Sequence, residues 1–254
     1  MRTFVFRHAS FIAFLAVLAL WEAACRVFAI APFILPSPSA IWDAAQELSP
    51  AQWGENLAAT LSVALTGFAV AIAIALPLAV AITRSRLLSR IAMPWLVVIQ
   101  STPIVAIAPV IVVTLGAGNL PRVVITALIS LFPLVISTAT GLAAVPPEYV
   151  ELSRSLRAPV STEYTQIRLP YAVPYIFSAL RVSITLAVVG AVVAEFVAAE
   201  RGLGYLVLFA TSSFKMPLAF AALTVLVCSS LLLYACISWL QRRLWPWSVD
   251  EARA

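Results

Sequence analysis

Apolar residues run along this chain in long unbroken stretches, without the alternation of half-buried strands or the one-sided stripe of surface helices. Stretches of about 18 or more such residues are long enough to cross a bilayer. The pattern predicts six membrane helices, at about 10–30, 57–82, 91–115, 123–144, 175–198 and 217–240. Pro77 is expected to break the second. The third carries Pro94, Pro103 and Pro109, and a seven-residue turn holding Arg84, Arg86 and Arg90 leads into it.

Polar residues are gathered between these stretches. Residues 31–55 hold four prolines and Asp43, Glu47 and Glu55, which suits an external loop with a short amphipathic helix over 39–48. A tight turn at 116–122 joins the third and fourth helices, and a second external turn around Gly202 and Gly204 joins the fifth and sixth. The largest island, 146–170, carries Glu148, Glu151, Arg154, Arg157, Glu163 and Arg168. The expected architecture is all-α and polytopic, one transmembrane domain over 1–254 with 146–170 as a loop inside it.

Composition agrees. Hydrophobic residues make up 63%, charged residues 11%, and mean hydropathy is +1.03, against about 25% charge in soluble domains. The start imitates a secreted lipoprotein, but Glu22 stands three residues before Cys25, where a cleavage box wants a small or aliphatic residue, and the apolar run resumes beyond it. An uncleaved first helix is expected, with Glu22 and Arg26 paired four residues apart. Cys25, Cys228 and Cys236 lie in apolar surroundings and read as core thiols. His8, in the N-terminal tail, is the only histidine, so no metal site and no Ser-His-Asp triad can be built.

Net charge is +5, yet only one lysine, Lys215, is present and no basic cluster with interleaved aromatics, which argues against nucleic acid. Six helices put both ends on one side. That side collects eleven basic residues (Arg2, Arg7, Arg84, Arg86, Arg90, Arg154, Arg157, Arg168, Arg242, Arg243, Arg253) and the other four (Arg26, Arg122, Arg201, Lys215), with Arg181 at a helix start. The positive-inside rule places both termini and 146–170 in the cytoplasm.

Within 146–170, Pro147 suits a first helical position and Glu148 the positive end of a helix dipole. Tyr149, Leu152, Ser153 and Leu156 repeat at three and four, an apolar face that either a partner grips or the protein's own underside covers. Arg154 and Arg157 suit the last turn, Pro159 stops it, and Ser161 is expected to cap a second helix with Glu163 in its first turn.

Glu151, followed sixteen residues later by Ile167 and then by Leu169 and Pro170, resembles the "EAA" loop of ABC importer permeases. The run EFVAAERGLG from Glu195 and the closing LQRRLWPW from Leu240 also resemble that family, in the branch importing nitrate, sulfonates, taurine and vitamin precursors. The resemblance covers roughly 35–247. It implies the type I importer fold and a loop that inserts into an ATP-hydrolysing subunit, with Tyr149, Glu151, Leu152, Arg154, Leu156, Arg157, Ile167, Leu169 and Pro170 in that role. It also implies a homodimer, cytoplasmic ATP-binding subunits, an external solute-binding protein and residence in a bacterial inner membrane. One departure stands out: Arg157 occupies the family's loop glycine, so the corner is expected to be set by Ala158 and Pro159 instead.

The residues support a borrowed energy source, because Lys215 has no glycine-rich loop before it and no Walker A site can form. No enzyme is expected and no cofactor, ATP being bound by the partner. For the translocation path, polar groups at membrane depth are the candidates: Gln100, Ser101, Thr102, Ser137, Thr138 and Glu195. Gln100 stands near Pro103, which frees a backbone carbonyl. The hydroxyls could equally bond their own helices, and Glu195 could be a structural partner of Arg201 or Arg181. The substrate suggested is a pyrimidine or other vitamin precursor; alternatives are a sulfonate, taurine or nitrate. An ion-coupled carrier would need Glu195 as its coupling carboxylate.

Overall fold

The computed structural model describes residues 2–116 and 118–253, with side chains over 11–116 and 118–249. Arg2, Arg7, His8 and Arg253, used in the charge and histidine arguments above, lie outside the described side chains. The described residues are helical wherever they are regular: α1 Arg2–Val27, α2 Pro38–Ala45, α3 Pro50–Arg84, α4 Arg86–Ser101, α5 Ile104–Leu115, α6 Asn119–Ala143, α7 Pro147–Ser155, α8 Val160–Thr162, α9 Leu169–Ala198, α10 Leu203–Ser212 and α11 Met216–Leu244. A π-helical turn, Glu163–Arg168, runs into α9, and a 3₁₀ segment, Pro246–Arg253, closes the chain.

Among the described residues, four helices are long and apolar enough to cross a membrane: α3, α6, the continuous Val160–Ala198 segment and α11. The pair α4 and α5 qualifies as one span bent by 99°. Four or five candidate crossings among the described residues thus stand against the six expected, so that count holds only approximately.

Several local expectations are corrected. Pro77 does not break α3, which runs 35 residues straight through it; in an apolar setting the remaining backbone bonds have no water to compete with them. The start of α3 is earlier than apolarity indicates because Ser49, Pro50 and Gln52 form a capping box. Arg86 and Arg90 lie on α4, not in a seven-residue turn, since only Ser85 separates α3 from α4. The third span is two helices, the chain leaving the helix at Thr102 (φ −77°, ψ 127°), the extended geometry favoured before a proline. Residues beyond Gly202 form α10, a short helix buried on one face, where a plain turn was expected. Arg181 sits mid-way along α9. Of the cysteines, Cys25 is buried but Cys228 and Cys236 are exposed on α11.

The expected Glu22–Arg26 pair forms at 2.6 Å, and Glu22 also accepts from the backbone and hydroxyl of Ser39, at 3.0 and 2.8 Å, tying α1 to α2. The centre of the molecule is α3, α6 and α9. One apolar cluster unites Phe68, Ala75, Ile82, Leu134, Ala179 and Ile184 from these three helices, and a second joins α3 and α9 to α2, α10 and α11. α6 and α9 approach closely at two glycines. A Cβ on Gly141 would stand 2.7 Å from that of Tyr175, and one on Gly190 2.9 Å from the Cα of Thr126.

Candidate functional site

The 146–170 island folds as a compact corner. Pro147 opens α7 and Glu148 sits in its first turn, as expected. The C-terminus is a Schellman motif: the Ala158 amide donates to the Ser153 carbonyl and the Arg157 amide to the Arg154 carbonyl, both at 3.0 Å. Such a motif needs one left-handed residue, and Arg157 itself takes it, at φ +53°. The corner is therefore set by Arg157, not by Ala158 and Pro159. A non-glycine residue there costs about 1–2 kcal/mol, so Arg157→Gly should raise the stability of α7 by about 1 kcal/mol and Arg157→Val should lower it. Hydrogen exchange of the α7 amides measures both.

α7 turns Val150 and Ser153 inward and leaves Tyr149, Leu152 and Leu156 exposed, Leu156 to 73%. The predicted apolar face is thus presented outward except for Ser153, which was expected on it and is instead buried. Glu151, Arg154 and Arg157 flank it, exposed, and Glu151 makes no ion pair with any described residue. Tyr149 rests on Tyr171 of α9, ring centroids 6.0 Å apart. The second helix begins after Pro159 rather than Ser161, because Pro159 occupies the cap position with extended backbone.

Two motifs far apart in sequence meet here. Leu169, Pro170, Val173 and Phe177 share a cavity of about 340 Å³ with Trp245 and Trp247 of the closing motif, and Phe177 packs on Trp245 at 5.3 Å. Ile167, on the π-helical turn, is half-buried.

Glu163 and Arg168 form a pair that the sequence does not indicate. Glu163 is buried, its Oε1 accepting from Arg168 Nε at 2.8 Å and facing Nη2 at 2.7 Å, while Oε2 faces Arg154 Nε at 3.6 Å. Arg168 Nη1 donates to the Leu142 carbonyl at 2.9 Å. The one available sequence signal, opposite charges five apart, is not a helical pairing distance, which is why it passes unnoticed.

The candidate path residues fall into three places. Gln100 and Ser101 are exposed at the end of α4, and Thr102 forms the break, its hydroxyl donating to the Val98 carbonyl at 2.7 Å. Ser137 is half-buried and Thr138 buried on α6, and neighbouring Thr140 bonds its own helix. Glu195 is near neither group. It is 1% exposed and accepts from the Gly204 amide at 2.6 Å, at the N-terminus of α10, where unpaired amides and the helix dipole favour an anion. Asn56 Oδ1 takes the Gly202 amide at 2.9 Å and Thr60 Oγ1 the Leu203 amide at 2.8 Å, so three residues from α3 and α9 hold three successive amides. Neither Arg201 nor Arg181 pairs with Glu195: Arg181 donates to Gln241 at 2.6 Å, beside a cavity of about 370 Å³.

Apolar helices of spanning length around a central three-helix unit define an all-helical multi-pass membrane protein, and comparison with known proteins gives its family. Residues 71–248 match the family described as the binding-protein-dependent transport system inner membrane component. The riboflavin transport system permease protein RibX of Chloroflexus aurantiacus is 35% identical over 238 residues, 92% of this chain and 88% of that one. The formylaminopyrimidine transport permease protein ThiX of Halalkalibacterium halodurans is 31% identical over 234 residues, covering 92% and 93%. A probable ABC transporter permease protein of Haemophilus influenzae is 33% identical, covering 92% and 94%. The inward-facing MetNI methionine ABC transporter superposes with a TM-score of 0.64 at 19% identity, covering 72% of this chain and 92% of that one. The chain belongs to the binding-protein-dependent inner-membrane component family: it is a multi-pass inner-membrane permease of an ABC importer for small solutes.

Proposed function

We propose that the chain forms the translocation path of its importer as a homodimer, with both termini and 146–170 in the cytoplasm, and that 146–170 is where each copy receives an ATP-hydrolysing subunit. The observation carrying this is α7: a nine-residue helix, fixed at its end by a Schellman motif, that leaves Tyr149, Leu152 and Leu156 exposed among charged neighbours. Glu151, Arg154, Arg157, Ile167, Leu169 and Pro170 complete the docking element. An external binding protein delivers the solute. Gln100, Ser101 and Thr102 at the break, with Ser137 and Thr138, are the polar groups proposed for the path. Glu195 joins them as the residue that fixes α10, since its carboxylate is engaged by this chain's own backbone; that engagement also speaks against ion-coupled transport through it.

The imported solute is proposed to be a pyrimidine-like or other vitamin precursor. Support comes from relatives whose names specify riboflavin and formylaminopyrimidine transport and which span nearly the whole chain. Affinity-tagged protein purified from cells expressing its neighbouring genes should carry an ATP-hydrolysing subunit, and the double variant Leu152→Asp/Leu156→Asp should lose it. Two carboxylates placed without partners in an apolar contact are costly to desolvate, enough to empty the complex. Equal recovery by wild type and variant would overturn the docking assignment.

A further inference from the structure

We propose that the Glu163–Arg168 pair is the positioning strut through which displacement of α7 reaches the membrane helices α6 and α9. The inference rests on the docking reading above and adds the residues that make docking mechanically useful.

A helix gripped by a partner moves the membrane only if something stiff joins it to the membrane helices. α7 is joined to α9 by a ring contact and to the rest by two small inward residues, Val150 and Ser153. A polar connection runs beside it, its link to α7 an exposed contact at 3.6 Å and its inner part largely buried. Arg154 on α7 faces Glu163, Glu163 holds Arg168, and Arg168 holds the Leu142 carbonyl. That carbonyl lies among the last four of α6, which a helix leaves without intrahelical partners. Arg168 also lies 5.2 Å over the Tyr164 ring, and Tyr164 reaches Thr83 near the end of α3 at 3.4 Å. One buried pair therefore ties α7 and α9 to α6, with a branch to α3.

The backbone is shaped for this pair. In an α-helix a residue five further on is rotated by about 140° from the first, on another face. The wider π turn over Glu163–Arg168 removes that offset and lets the two side chains meet. The local geometry departs from the α-helix over the very residues that the pair spans. A buried ion pair is weak evidence for a stabilising role, since apolar residues of similar volume often replace one without loss of stability. Its fixed geometry, in contrast, suits transmission.

The test follows from that distinction. Glu163→Leu/Arg168→Met removes both charges without leaving one buried and unpaired, so the chain is expected to fold and to keep its ATPase. In the assembled complex, freed of native cysteines, a spectroscopic distance is read between labels at Glu148 on α7 and Val182 on α9, with and without magnesium-ATP. In wild type the two helices move together and the distance holds. In the double variant ATP hydrolysis continues, α7 moves alone and the distance shifts. An unchanged distance in a variant that still hydrolyses ATP would overturn the strut, as would loss of folding or of the ATPase together with movement, which would mark the pair as structural. Failure of the docking reading is separate: wild type itself would then retain no ATPase.

Discussion

Glu151→Lys is expected to abolish ATP-driven solute uptake while leaving the membrane helices folded. Glu151 is exposed on α7, next to Leu152, and no described cation neutralises it. Its worth therefore lies in an interaction made outside this chain. The island carries three acidic and three basic residues, and reversal at one site leaves it with a net charge of +2 against a surface selected to meet a neutral one. Disrupting one partner of a desolvated charge pair at an interface costs about 2–5 kcal/mol, so uptake should fall at least about 30-fold. It is measured with the solute that the partner binding protein retains, alongside the thermal unfolding profile. Unchanged uptake would remove Glu151 from the docking element; unfolding would show that its role is internal.

Gly202→Ala carries the largest expected effect on stability. Gly202 stands at φ +133°, a region essentially closed to residues with a side chain, and an added Cβ would overlap the Glu195 carboxylate. Strain of about 1–3 kcal/mol joins an overpacking cost of about 1–3 kcal/mol, a large part of the 5–15 kcal/mol typical of a folded domain. Gly204→Ala, whose Cβ would meet Glu195 Oε2 at 2.7 Å without a left-handed backbone, is expected to cost less. Thermal unfolding of the detergent-solubilised variants orders them: Gly202→Ala lowest, Gly204→Ala intermediate, wild type highest. Equal transitions would mean that α10 is not held by this arrangement.

The contrast between these two sites shows what the order of residues discloses. Span positions and the exposed face of α7 were legible because they are local: apolar length marks a crossing, and a three-four repeat ended by Pro159 marks a short helix. Glu195 stands out for the cost of a charge at membrane depth, but its partner is the backbone amide of Gly204, and the two amides before it are held by Asn56 and Thr60 from well over a hundred residues away, pairings that no spacing in the chain announces. The corner was expected at Ala158 and Pro159 because Arg157 replaces a glycine, yet the two Schellman bonds and the turn before Pro159 fix Arg157 itself in the left-handed position. The Glu163–Arg168 pair was invisible because only a π turn brings residues five apart together. The bend at Thr102 was hidden by company: Pro77 and Pro94 lie inside unbroken helices, so proline alone does not announce a break.

The most direct measurement places a photo-crosslinking residue at Leu152, the centre of the exposed face of α7, in cells that express the complete importer. Capture of the ATP-hydrolysing subunit at Leu152, and none from the exposed Phe14 on α1, is the result expected of a docking helix. Crosslinks from Leu152 confined to this chain or to lipid would contradict it, and would make α7 an ordinary loop helix lying against its own protein.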